Sequence, residues 1–319
     1  MEYEALAKRD KKIGYIYIII ASSCYAMIGI FGKLVLNAGF SAFELLFYQY
    51  IVMTLLLGGF LLIKSPGDFR VSKQMLIYLL IQGAVGTTGT SILYYLAIEK
   101  INVGMASMLL FTYPIFVNLF FIFSGIRKIN NGSKIALASA FVGSCLVLNI
   151  FTTGIAGISL AGIVLGILSS FCYAFFNVFA DLKLNTLKPI VISFYTSLTT
   201  LIIGGALAPG ALPHFAAVTG LGSGLGLTPE LLTMLGYLAM LALICGVLPT
   251  VLMYEGILRI GADKASVLSS SELPITVIFA YLVLGEEMVL IQILGIVLIV
   301  VALLMLHRSD HGGNNYELK

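Results

Sequence analysis

Long apolar runs separated by short polar connections dominate the chain. A hydrocarbon core about 30 Å thick needs about 20 apolar residues of helix. Ten runs have that length: roughly residues 14–36, 44–63, 75–97, 103–123, 133–151, 159–182, 189–208, 232–257, 265–284 and 289–307. Most connections are short, so consecutive helices are expected to pack as antiparallel neighbours. The exception is the Gly/Pro-rich stretch 209–231, expected as a loop. The first run is expected to remain as a span, since it is too long for a cleaved leader and leads into more of the same. The pattern predicts an all-α polytopic membrane protein with ten transmembrane helices.

Composition removes the competing classes. Of 319 residues, 60% are hydrophobic and 10% charged, against about 25% charged in ordinary soluble domains. So few charges could not cover a soluble fold of this size. A net charge of +3 is too small for a nucleic-acid binder, which needs many Lys/Arg contacts to phosphate. Four cysteines (Cys24, Cys145, Cys172, Cys245) lie inside apolar runs, which excludes a disulfide-rich secreted domain. With the N-terminus placed in the cytoplasm, 16 of the 18 Lys/Arg residues fall on that side. Lys100, in an external connection, and Lys33, inside the first run, are the other two. The asymmetry predicts both termini cytoplasmic in a multi-pass protein of the cell (inner) membrane.

The first and sixth runs share a core. Ser22-Ser23-Cys24-Tyr25-Ala26 stands beside Ser170-Phe171-Cys172-Tyr173-Ala174 at an offset of 148, and Phe31 and Leu34 match Phe179 and Leu182. Ala106-Ser107 and Pro114-Ile115 of the fourth run recur as Ala265-Ser266 and Pro274-Ile275 in the ninth. The chain therefore divides into five-helix halves, residues 1–151 and 152–319. An odd number of helices per half makes the second half insert upside down. The charges agree: connection 64–73 carries Lys64, Arg70 and Lys73, whereas its equivalent, 209–231, carries no Lys or Arg. Connection 124–134 carries Arg127, Lys128 and Lys134, and its equivalent carries Glu286 and Glu287. Inverted repeats of this kind are characteristic of secondary transporters, with the substrate held near mid-bilayer between the halves. A duplicated scaffold without transport is the alternative.

At these residues the sequence resembles the drug/metabolite transporter superfamily, and within it the ten-helix EamA-like exporters. The resemblance rests on several short motifs. Phe31-Gly32-Lys33 closes the first run. Tyr95-Leu96-Ala97-Ile98 is followed by Ala106-Ser107 and Pro114. The second copy runs from Ala265-Ser266-Val267-Leu268 through Glu272-Leu273-Pro274 to Leu284-Gly285-Glu286. Gln49 sits near the place where the family often has Arg, and Tyr25 where it often has Trp. The resemblance implies export of amino acids or related metabolites.

Ionisable groups inside spans are the first candidates for a site, because a charge at a helix centre costs about 2.5–3.5 kcal/mol on insertion scales. Glu272 follows Ser269, Ser270 and Ser271 and stands two residues before Pro274. The missing N–H of that proline frees the carbonyl of Ser270. Two readings stand for Glu272: it binds a cationic group or carries a proton, or it hydrogen-bonds a neighbouring helix for packing. Lys33 either meets substrate or snorkels to the headgroups, and its repeat partner Asp181 has the same alternatives. Glu255 is expected to pair with Arg259 at i+4. Glu44 opens the second run, where a carboxylate suits a helix N-terminus.

Tyr25 and Tyr173 occupy equivalent positions, and Asn177 lies one turn beyond Tyr173 on the same helix face. A phenol suits a small amphipathic solute, although Tyr and Asn also join helices to one another. The third run, Gly86-Thr87-Thr88-Gly89-Thr90-Ser91 through Tyr94, either lines a hydrated cavity or allows close helix approach. Pro114 and Pro274 fall near the midplane, where paired kinks would serve as hinges of a rocking carrier. Gly220-Leu221-Gly222-Ser223-Gly224 is a Gly/Ser linker rather than a phosphate loop, since no GK[ST] follows. His214, His307 and His311 are too scattered for a metal site or a catalytic dyad.

The residues thus predict a secondary transporter moving a small-molecule metabolite by alternating access. Tyr25, Tyr94, Tyr173, Asn177, Ser270, Glu272 and Lys33 are its candidate site, and no cofactor or metal is expected. The lipid bilayer is its surroundings, protons are a candidate co-substrate, and the chain acts as a monomer or homodimer. A channel or structural membrane protein is the alternative. An intramembrane enzyme is the more remote one, since no His lies in a central run.

Overall fold

A computed structural model of the chain describes residues 2–101, 103–126, 131–147, 159–219, 229–275, 278 and 289–312. Arg127, Lys128, the run Gly220–Gly224, Glu286 and Glu287 lie outside the described residues. Those that are described form helices and connecting turns, with no strand among them. Seven helical stretches are long and apolar enough to cross a membrane: Asp10–Asn37, Ala42–Lys64, Lys73–Lys100, Met105–Ser124, Leu160–Lys183, Pro189–Leu207 and Leu231–Ile260. Asn131–Val147 and Leu290–Leu306 are apolar but shorter. Each falls on an expected run. The remaining run, 265–284, starts as helix and continues outside the described residues.

In chain order the helices are α1 (Glu2–Tyr25), α2 (Ile28–Asn37), α3 (Ala42–Lys64), α4 (Lys73–Ile81), α5 (Thr90–Lys100), α6 (Val103–Leu110), α7 (Tyr113–Ser124) and α8 (Asn131–Val147). They continue as α9 (Leu160–Lys183), α10 (Pro189–Leu207), α11 (Ala211–Thr219), α12 (Pro229–Ala242), α13 (Leu248–Ile260), α14 (Ala262–Leu268) and α15 (Leu290–Gly312).

Local chemistry accounts for several of the ends. Ser41 and Glu44 form a reciprocal capping box at the start of α3, with the Ser41 amide donating to Glu44 Oε2 at 2.8 Å. Both satisfy donors that a helix start leaves unpaired. Gly125 closes α7 in the left-handed conformation at φ 66°, which only a residue without Cβ adopts freely. The connection 209–231 is not wholly a loop, since α11 forms inside it. Its Pro213 sits in the first turn, where no intrahelical N–H is needed.

Five of the expected spans are interrupted along their length. The first breaks at Ala26–Met27 between α1 and α2, and the fourth at Phe111–Thr112 between α6 and α7. The ninth tightens into a 3₁₀ turn at Ser269–Ser271 after α14. The third and eighth carry π-helical segments, Gln82–Gly89 between α4 and α5 and Leu243–Val247 between α12 and α13. In the first of these, Thr88 Oγ1 donates to the Gly83 carbonyl at 2.8 Å and Thr90 Oγ1 to the Gly86 carbonyl at 2.6 Å. Those bonds satisfy carbonyls that lipid would leave unpaired.

Helices pair across the two halves of the chain: α1 with α13, α3 with α10, α5 with α9, α7 with α14 and α8 with α15. Small residues bring the backbones together. A Cβ on Gly295 would meet the Val147 amide nitrogen at 2.6 Å and the Gly143 carbonyl oxygen at 2.7 Å. The apolar interior forms two main clusters. One gathers Ile18, Phe121, Ala180, Tyr254 and Ala265; the other gathers Val35, Leu45, Ile98, Met234 and Leu241. Individual spans contribute opposite ends to the two clusters, which therefore stack along the bundle. In the first and third spans the interruption lies between residues of the two clusters.

Candidate functional site

A cavity of about 90 Å³ occupies the interval between the two apolar clusters. That is well above the minimum of about 10–15 Å³ that a cavity needs to hold an ordered water. Its lining comes from both halves of the chain: Tyr25, Gln49, Tyr50, Gly86, Thr87, Thr90, Ser91, Tyr94 and Tyr95 from the first, and Tyr173, Cys245, Gly246, Thr250 and Glu272 from the second, with a few apolar side chains. Every interrupted span supplies part of this wall. The interruptions fall beside this internal cavity rather than beside lipid, which is where irregular backbone is tolerated in a membrane.

Hydroxyls hold the wall together. The Tyr25 and Thr250 hydroxyls lie 3.0 Å apart, joining the two halves. Tyr94 and Ser107 hydroxyls lie 3.0 Å apart, and those of Tyr50 and Ser91 3.2 Å. Tyr95 donates to Gln49 Oε1 at 2.6 Å, and Gln49 Nε2 donates to the Leu241 carbonyl at 3.3 Å. Tyr173 packs against Tyr113 with ring centroids 4.3 Å apart and the planes tilted by 49°. Glu272 is the one carboxyl among the lining residues, and it opens the helical turn that follows the 3₁₀ segment. The arrangement offers a small solute several hydroxyls, aromatic faces and one acidic group.

Of the residues singled out in the sequence, Tyr25, Tyr94, Tyr173 and Glu272 meet in this cavity. Asn177 does not line it. Its side chain turns back along α9, donating to the Tyr173 carbonyl at 2.8 Å, and it is fully buried. Ser270, two residues before Glu272, is buried without lining the cavity. Lys33 lies away from it and donates to the Ile98 carbonyl at 2.8 Å. That oxygen belongs to the last turn of α5, where a cation complements unpaired carbonyls and the helix dipole.

Asp181, the repeat partner of Lys33, accepts from the Ala262 amide at 3.0 Å at the start of α14. Glu255 pairs with Arg259 at 2.6 Å, as its i+4 spacing predicts. Pro114 stands at the start of α7, just after the break, and Pro274 follows the 3₁₀ turn. Each occupies the first turn of a resumed helix, where its missing N–H costs no intrahelical bond.

Thr250, Tyr50 and Gly246 are lining residues that the sequence did not single out. A signal for two of them exists: Gly86, Thr90 and Tyr94 recur at the same spacing as Gly246, Thr250 and Tyr254. Both glycines lie in π segments and are tightly enclosed. A Cβ on Gly246 would meet Met53 Sδ at 2.6 Å, and one on Gly86 the Phe176 Cα at 3.2 Å.

A bundle of apolar helices, interrupted around a small cavity that both halves line, defines the class as a polytopic membrane protein. The chain belongs to the EamA-like transporter family, which matches residues 12–149 and again residues 160–308. It is 27% identical over 295 residues to the uncharacterized transporter YcbK of Bacillus subtilis, covering 90% of each chain. It is 28% identical over 219 residues to an uncharacterized transporter of Synechocystis, covering 68% of this chain and 62% of that one. A solved crystal structure superposes with a TM-score of 0.73 at 12% identity, covering 97% of this chain and 99% of the other, and shares the fold. The protein is therefore a multi-pass membrane transporter with a small-molecule substrate.

Proposed function

We propose that the chain is a secondary transporter that exports a small metabolite, an amino acid or related compound, by alternating access. One observation carries the proposal: a small cavity with mainly apolar walls and a few polar groups, lined by Tyr25, Tyr94, Tyr173 and Glu272, lies where five spans from both halves lose regular helix. The substrate occupies this cavity, the tyrosine rings and hydroxyls hold it, and Glu272 carries a proton in exchange. Pro114 and Pro274, each just after a break, mark where the outer and inner parts of their spans pivot.

The ten spans form two inverted five-helix repeats with both termini in the cytoplasm. Two features support this reading. The family matches the chain twice in succession. The helix pairings also map onto one another when each span is exchanged for its counterpart five further on, α1–α13 becoming α9–α5 and the other three pairs returning to themselves. That is the pattern expected of a two-fold axis between inverted halves.

Purified protein in proteoliposomes tests the function. A thermal-shift screen of amino acids, nucleosides and organic cations selects a ligand, which is then assayed for saturable uptake and for counterflow. Saturation with counterflow is expected. Linear, uncoupled flux would make the protein a channel, and absence of flux for every stabilising ligand would count against transport through this cavity.

A further inference from the structure

On the outer surface of the bundle a second, larger space of about 510 Å³ lies between α7 and α9. Phe116, Phe120, Phe171, Phe175 and Phe179 line it, and Lys183 closes one end. Ala174 leaves it deep where a larger side chain would fill it. The Phe116 and Phe171 rings stack across the two helices at 3.9 Å, and Phe175 stacks on Phe179 at 4.9 Å. The floor separates this groove from the central cavity, since Tyr173 faces inward on the same helix.

The two ends of the groove differ in chemistry. From Phe171 to Lys183 is twelve residues of α9, about 18 Å at 1.5 Å per residue. Half of a hydrocarbon core about 30 Å thick is about 15 Å. The groove therefore has the length of one leaflet, with apolar walls ending in an ammonium group at headgroup depth.

Lys183 is exposed, and its Nζ lies 5.9 Å from the centroid of the Tyr78 ring. Among the described residues it makes no ion pair. The acids nearby are engaged elsewhere: Asp68 pairs with Lys188 at 2.8 Å, and Asp181 accepts from the Ala262 amide. Lys64, Arg70, Lys73 and Lys188 stand on the connections at this same end of the bundle.

We propose that the groove is a binding site for an anionic phospholipid, one acyl chain lying along the phenylalanines and the headgroup phosphate resting on Lys183. An uncharged lipid would satisfy the apolar walls but bring no phosphate to the lysine, and a zwitterionic one brings a phosphate whose charge its own ammonium offsets. A second copy of the chain would need an apolar surface with an acid opposite Lys183.

The chain contains no tryptophan, so Phe179→Trp installs a single reporter in the groove, with Phe175→Trp as a second. Each variant is reconstituted in phosphatidylcholine vesicles containing brominated phosphatidylglycerol or, at equal mole fraction, brominated phosphatidylcholine. Fluorescence quenching measures relative occupancy. Phosphatidylglycerol is expected to be preferred roughly fivefold, the contribution of one lysine beside an anionic headgroup.

Lys183→Gln, at an exposed position, should remove that preference while both lipids still quench. A control reporter at Leu304→Trp, on the exposed face of α15, should show no preference. Equal quenching by the two lipids overturns the proposal, as does a preference that survives Lys183→Gln or appears equally at Leu304→Trp. Shielding of both groove reporters from either lipid would mean that protein, such as a second copy, covers the groove, and would overturn it too.

Discussion

Replacing Glu272 by Gln keeps the shape of the side chain and removes its ability to exchange a proton. Because Glu272 is the one carboxyl lining the cavity, a carrier that couples through this cavity moves at most one proton per cycle there. One pH unit is worth about 1.36 kcal/mol per proton, so one-for-one exchange limits accumulation to about tenfold per unit of pH gradient. The assay imposes a pH gradient across proteoliposomes and measures steady-state accumulation of the selected ligand. Wild-type protein should approach tenfold per pH unit, whereas Glu272→Gln should equilibrate the ligand without concentrating it. Counterflow, which needs only rebinding and reorientation, should persist in the variant and shows that it is folded. A neutral amide is no harder to insert than a carboxyl at this depth, so unfolding is not the expected outcome. Undiminished gradient-driven accumulation by Glu272→Gln would refute the reasoning and assign the residue to packing.

Other perturbations follow from the same geometry. Tyr25→Phe and Thr250→Val each remove one side of the 3.0 Å contact between the halves; each should weaken ligand binding by roughly two- to tenfold. The double variant should be little worse than either single one, read from ligand-dependent thermal shifts. Gly295→Leu places its Cβ within 2.7 Å of backbone atoms on α8, and backbone cannot swing aside. A loss of at least about 3 kcal/mol is expected, visible as loss of the monodisperse peak on size-exclusion chromatography. The neighbouring Leu294→Ala, on a side chain 55% exposed, should leave that peak unchanged. Asp181→Ala strips the Ala262 amide of its acceptor at the start of α14 and should lower stability by about 1–3 kcal/mol. Asp181→Asn, which can still accept there, should recover much of that loss in a melting experiment.

Which residues announced the site follows from what a bilayer penalises. A carboxyl or a pair of matched tyrosines inside an apolar run is conspicuous, and Glu272, Tyr25 and Tyr173 of the candidate site were legible for that reason, with Tyr94 picked out by the Gly/Thr stretch it follows. Thr250 and Gln49 are cheaper to place in a span and serve equally as contacts between helices, so composition alone does not separate wall from packing. Asn177 shows the converse. Its spacing from Tyr173 puts both on one face of α9, but an amide one turn along can reach back to the i−4 carbonyl, and there it does so. The apolar runs themselves were readable because hydropathy is summed along the chain. The helix interruptions were not, apart from the prolines, because a π segment depends on the partners that donate to its displaced carbonyls.

Lys33 and Asp181 extend this logic to the repeat in the sequence. They occupy equivalent positions yet carry opposite charges, which from sequence alone argues against a common role. The structure gives each a helix end to complement: Lys33 meets the carbonyl end of α5, and Asp181 meets the amide end of α14. Those ends carry partial charges of opposite sign, so opposite side-chain charges do the same work of joining the opening span of a half to another span. Charge, unlike apolar character, thus followed the local backbone dipole rather than the repeat. For that reason Lys33→Met should destabilise the fold without changing ligand affinity, whereas a change in affinity at constant melting temperature would return Lys33 to the binding site.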